Sequence, residues 1–160
     1  MSDAFTYSWQ SVERGIWEYW NKVFGTVEGL TAYNMRNLPK TLPDANSFIW
    51  RYKQGGGQIN VRRQSRDKAV NGAWLMDAII EAWTIDDDTA LWIGGIIMEN
   101  NPIVSTDGIG GLQRCDVIAF PDRENDTIRL GGTDNAGQEI LCVRVFAPMQ
   151  VAFGNTARTV

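Results

Sequence analysis

Between residues 9 and 27 apolar side chains recur at steps of three and four: Trp9, Val12, Ile16, Trp20, Val23 and Val27, with Phe24 alongside. That period marks a helix with one buried face, and it predicts a helix over residues 9–24. Ser8 is suited to cap its start and Gly25 to follow its end. Gly15 inside it costs about 1 kcal/mol relative to alanine. The stripe is wide and rich in tryptophan, so it predicts docking on a flat apolar surface, most simply a sheet. Residues 28–46, with "NLPKTLPDANS", read as a connection holding a short extended piece near residues 30–34.

The period then changes to two. In "SFIWRYK", Phe48, Trp50 and Tyr52 alternate with Ile49, Arg51 and Lys53, and "QINVRRQ" continues the alternation with Ile59 and Val61. "QGGGQ" lies between them, so an antiparallel hairpin is predicted over residues 47–64 with Gly55, Gly56 and Gly57 at its tip. A second helix is predicted over residues 68–83. There Leu75, Met76, Ile79, Ile80, Ala82 and Trp83 fall on one side, and Val70, Trp74, Asp77 and Glu81 on the other. Trp74, opposite the buried stripe, reads as a rim residue or an interface anchor. From residue 90 onward "ALWIGGIIM", "RCDVIAF", "TIRL" and "EILCVRVFA" read as strands, separated by "ENNP", "STDGIGG", "PDREND" and "GGTDNAGQ" as turns. "IDDDT" reads as a solvated loop after the second helix, and the end of the chain, about residues 154–160, as a loose tail. The expected architecture is a single α+β domain over residues 1–160, with a mixed or antiparallel, sandwich-like sheet, two packed helices and a long hairpin arm.

Composition changes this picture little. With 160 residues, 44% of them apolar, the chain can bury a substantial core, and disorder throughout is not expected. No apolar run approaches the roughly 20 residues that span a bilayer, so no membrane is expected as a partner. "MSDAFTYSWQ" lacks the basic and apolar regions of a signal peptide, which predicts synthesis in the cytoplasm. Cys115 and Cys142 sit in apolar runs and read as two buried thiols. There is no histidine, which removes the Ser-His-Asp and Cys-His arrangements and the commonest metal ligand. Asp86 to Asp88 form the one carboxylate cluster, but three acids in one turn do not converge as metal ligands must. No phosphate loop is present, because no Lys-Ser/Thr pair follows the glycines. No catalytic, cofactor-binding or metal site is expected.

Charge is what redirects the reading. The chain is acidic, with a net charge of −4, yet residues 51–68 carry Arg51, Lys53, Arg62, Arg63, Arg66 and Lys68 against Asp67 alone. Residues 77–139 carry thirteen acids against Arg114, Arg123 and Arg129. A basic arm of this kind suits a protein partner, phosphate contacts or plain solvation. The overall acidity works against long-range attraction to DNA, and Trp50 and Tyr52 share the face of Phe48, which reads as core. The expected contact residues are therefore Arg51, Lys53, Gly55, Gly56, Gly57, Arg62, Arg63, Arg66, Trp74, Asp77 and Glu81.

The succession "SWQSVERGIWEYWNKVF", "FIWRYKQGGGQINVRRQ", "AWLMDAIIEAW" and "EILCVRVFAPMQVAF" resembles the tail terminator and tail-completion proteins of long-tailed bacteriophages, whose core recurs in tail tube proteins. The resemblance is one of pattern, over about residues 8–153. It implies a structural virion component at the tail or head–tail joint, forming a head-to-tail ring of its own copies, usually a hexamer. It also implies other tail or connector proteins as axial partners, and DNA only as cargo passing the ring. Two other classes remain: a small DNA-associated protein using the basic hairpin, and a monomeric β-rich binding module.

Overall fold

A computed structural model of the chain describes residues 4–34, 46–54, 60–62, 73–130 and 138–154. The fold is α+β, with two helices packed on a mixed sheet that curls into a half-barrel. In chain order the elements are α1 (Ala4–Gly25), β1 (Thr31–Asn34), β2 (Ser47–Gln54), β3 (Asn60–Arg62), β4 (Ala73–Thr84) and α2 (Asp87–Glu99). A two-residue strand β5 (Ile103–Val104), a 3-10 turn over Ser105–Asp107, β6 (Leu112–Val117), β7 (Asp122–Leu130) and β8 (Gln138–Gly154) follow. The eight strands form one sheet in the order β1-β2-β4-β8-β6-β5, with β3 added on β4 and β7 on β8. Among the described residues β1 and β2 run parallel and the other pairs are antiparallel.

The first helix follows its periodicity, beginning earlier, at Ala4. Val12, Ile16, Trp20 and Phe24 are fully buried at steps of four. Phe24 packs edge-on to Phe48 at 5.2 Å between ring centroids, and Trp17 stacks on Trp50 at 6.0 Å. Gly15 has a local reason to be glycine, because a Cβ there would lie 2.5 Å from Cγ2 of Ile109 in the loop before β6. Close approach of that loop outweighs the helix penalty.

Four expectations are corrected. The expected helix at 68–83 is instead strand β4, the centre of the sheet, pairing with β8 along its whole length from Ala73↔Gly154 to Thr84↔Val143. Met76, Ala78, Ile80 and Ala82 are buried toward the helices, while Glu81 and Trp83 are buried on the opposite face. With Leu75, Ile79 and Trp83 among the acids of its second face, the strand blurs the alternation that would identify it, and an apolar run of that kind also fits a helix. The expected strand "ALWIGGIIM" is instead helix α2. The acids read as a solvated loop start that helix. Asp86 is its N-cap, accepting from the Thr89 N–H at 3.2 Å and the Thr89 hydroxyl at 3.0 Å, and Asp87 and Asp88 occupy the first turn, where the helix dipole favours negative charge. "PDREND", read as a turn, supplies Asp122–Asp126, the first half of β7.

The pairing at 47–64 also differs. β2 and β3 do not pair with each other; both run antiparallel to β4, β2 through Ile49↔Trp83 to Gln54↔Ala78 and β3 through Asn60↔Leu75 to Arg62↔Ala73. Among the described residues the expected pairing of β2 with β3 is therefore not formed, and both strands lie along β4. Gly55, Gly56 and Gly57, the expected tip, lie outside the described residues, as do Arg63, Arg66 and the tail from residue 155.

Candidate interaction surfaces

Both helices pack on one face of the sheet, over a core that joins Trp20, Phe24, Phe48, Trp50, Ile80, Ile93 and Ile97. Two features outside that core stand out.

The first is a charge network on the opposite face. The odd positions of β2 and β4 and the even positions of β8 meet there. The Glu81 carboxylate is 2% exposed. It accepts from Arg51 Nε at 2.9 Å and Arg144 Nε at 2.8 Å, and the outer nitrogens of both guanidinium groups also reach it. Lys53 Nζ stands 3.7 Å away, and Arg144 extends the chain of pairs to Glu124. Burial alone would raise the Glu81 carboxyl, but the hydrogen bonds from Arg144 and then Arg51 outweigh it and hold it below the usual carboxylate range. Arg51 also lies over the Trp83 ring, 5.3 Å from its centroid, and Trp83 Nε1 donates to Asp126 Oδ2 at 3.2 Å. Next to this network Ile49, Trp83 and Cys142 form a small apolar cluster.

Of the expected contact residues, Arg51, Lys53 and Glu81 are brought together here, but as partners of one another. Asp77 is exposed on β4, across from Gln150. Trp74 lies on β4 between Val61 and Phe153, so its backbone has the register parity of Met76 and Ala78 and not that of Asp77 and Glu81. A helix would have grouped Trp74 with those acids; the strand separates them, which removes the original reason to make it an anchor. Its side chain and that of Arg62 lie outside the described residues. Arg144 and Glu124 were missed because a cross-strand contact depends on register between distant segments.

The second feature is the outer side of α2. Residues 89–98 contain no charged side chain. Thr89, Ala90, Ile93, Ile96 and Ile97 are buried, yet Leu91 remains 53% exposed and Trp92 38% exposed. Beside them the β6–β7 turn carries Ile118 at 58% and Phe120 at 84% exposure. Leu91, Gly94, Gly95 and Met98 on the helix, with Phe120 and Pro121 on the turn, line an open groove of about 250 Å³. A Cβ on Gly94 would make ordinary contact with Pro121 at 3.6 Å, while a Cβ on Gly95 would meet nothing within 4 Å. Arg123 closes one end, bound to Asp87 at 2.6 Å. Sequence reasoning missed this surface by reading the segment as a strand; the Asp86-x-x-Thr89 start was the signal that could have found it.

Cys115 and Cys142 are both free and lie in separate apolar clusters. Burial, with Asp116 nearby, pushes the Cys115 thiol up to about 12; burial, with Asp126, pushes Cys142 up to about 11. Both are poor nucleophiles at neutral pH. Among the described residues no group of His, Cys, Asp and Glu side chains is arranged to hold a metal ion, and no helix is long and apolar enough to cross a membrane. No protein-family model matches the chain, and no curated protein matches it in sequence.

Proposed function

We propose that this chain is a structural subunit that assembles head to tail with copies of itself into a ring, at the tail or head–tail joint of a long-tailed phage. The observation that carries this reading is the outer side of α2. A helix apolar on every side is normally buried on every side, and an exposed apolar patch edged by charge marks a surface made for another protein. The uneven charge adds direction. One chain bears both a basic stretch around residues 62–68 and an acidic remainder, the two unlike surfaces a head-to-tail contact needs. The phage assignment rests on the sequence pattern of the first helix, the basic segment and the closing strand; "AWLMDAIIEAW", expected there as the second helix, is strand β4. Axial partners would be other tail or connector proteins, and DNA would pass as cargo.

The engagement of Arg51 and Lys53 by Glu81 leaves fewer cations for phosphate and disfavours a nucleic-acid arm. Negative-stain electron microscopy of the concentrated protein tests the reading. Closed annular particles are expected; a monomer that shifts duplex DNA in a salt-sensitive manner would replace the reading with the DNA-associated one.

A further inference from the structure

We propose that the groove between α2 and the β6–β7 turn is the acceptor half of the contact between subunits, and that it receives the basic segment 62–68 of a second copy. The inference rests on the self-assembly reading and names the surface that serves it.

The groove's chemistry selects its occupant. Its floor is apolar, formed by Leu91, Gly94, Gly95 and Met98 of α2 with Phe120 and Pro121 of the turn. Acids flank it along α2, which starts with Asp86, Asp87 and Asp88 and ends with Glu99, while the one cation in its lining, Arg123, is bound to Asp87. Asp87 is already held by Arg123, whereas Asp88 and Glu99 stand exposed at the two ends of the helix. A two-fold contact of this surface with itself would bring acid against acid, which disfavours an isologous dimer. The complement must be cationic with an apolar stem. The same chain carries it in Arg62, Arg63, Arg66 and Lys68, set against the single acid Asp67. Long basic side chains can lay their methylenes along an apolar floor and keep the charged head at an acidic rim. Gly95 keeps the floor open, since alanine there would fill space that nothing else occupies.

The test uses two full-length variants. Leu91→Glu/Phe120→Ala disables the proposed acceptor. Both residues are largely exposed, so the fold should melt as the wild type does. Arg63→Glu/Arg66→Glu disables the proposed donor. Light scattering after size exclusion should show the wild type assembled and each variant monomeric, with at least a tenfold higher concentration needed for any association. An equimolar mixture of the two variants retains one intact donor and one intact acceptor, so it should form a one-to-one dimer and stop there. A wild type that assembles while the acceptor variant assembles equally well overturns the inference and leaves the ring reading standing. Two monomeric variants that fail to pair in the mixture also overturn it, because the two surfaces then do not meet. A wild type that stays monomeric at every concentration overturns the ring reading and this inference together.

Discussion

The two helices pack on the same face of one sheet, yet they treat their outer sides in opposite ways. α1 buries Val12, Ile16, Trp20 and Phe24 and turns Arg14, Glu18, Asn21 and Lys22 to the outside, all exposed. α2 buries Ile93, Ile96 and Ile97 and turns Leu91, Trp92 and Gly95 to the outside. The first is the ordinary division of an amphipathic helix in water. In the second the inner face already satisfies the core, and Leu91 on the outer side stays largely exposed. The difference separates residues chosen for folding from residues available for a partner.

That separation can be broken most forcefully in the core. Trp20→Ala should lower stability by about 3–5 kcal/mol in denaturant unfolding, as large core truncations do. Leu91→Ala or Phe120→Ala should change it by no more than about 0.5 kcal/mol. A large loss from Phe120→Ala would mean that the turn is part of the fold and not a free surface.

The charge network offers a control on the opposite face of the sheet. Glu81→Leu leaves Arg51 and Arg144 without their shared carboxylate and should cost about 2 kcal/mol, less than a fully buried pair because both arginines are partly solvated. Its pH dependence has a definite sign. The folded-state pKa of Glu81 lies below the unfolded one, so its stabilisation is present in full above the unfolded carboxyl pKa. It is lost as pH falls through the folded value. Chemical denaturation between neutral pH and pH 3 should therefore show a smaller decline in Glu81→Leu than in the wild type. An equal decline would place the acid sensitivity elsewhere.

The glycines sharpen the comparison between the helices. Gly15→Ala forces a Cβ against Ile109 and should destabilise by about 1–2 kcal/mol despite alanine's better helix propensity. Gly95→Ala meets no neighbour and should stabilise the monomer by about 0.5–1 kcal/mol while weakening assembly. Thermal melts and sizing of the two variants give opposite signs if the account holds. The smallest effect is expected on the outside of α1: Glu18→Ala/Lys22→Ala should leave stability within about 0.5 kcal/mol and assembly unchanged.

The helix-covered half of the sheet was partly legible in the sequence. The four-residue steps of α1 have one exposed side, and the alternation of Phe48, Trp50 and Tyr52 stands against the polar Arg51 and Lys53; that contrast is what a periodicity reading detects. β4 and α2 exchanged identities for the complementary reason. On β4 the odd positions mix Leu75, Ile79 and Trp83 with Asp77 and Glu81, so the period of two is blurred by apolar residues on its polar side. With an apolar outer face, α2 shows no polar side to mark a period of 3.6. Of these two, α2 carries the candidate surface, since an interface helix lacks the polar face that would announce it. The Arg51–Glu81–Arg144 contacts lay out of reach for another reason: Glu81 and Arg144 are 63 residues apart and meet only through the β4–β8 register.

The most direct test of the difference between the helices is the solution mass of the wild type beside Leu91→Glu, measured by sedimentation over a dilution series. The account predicts a wild-type mass several times 17.9 kDa that falls on dilution, and a variant that remains at the mass of one chain while melting at the wild-type temperature. A wild type that sediments as one chain at every concentration, or a variant that assembles as the wild type does, would contradict it.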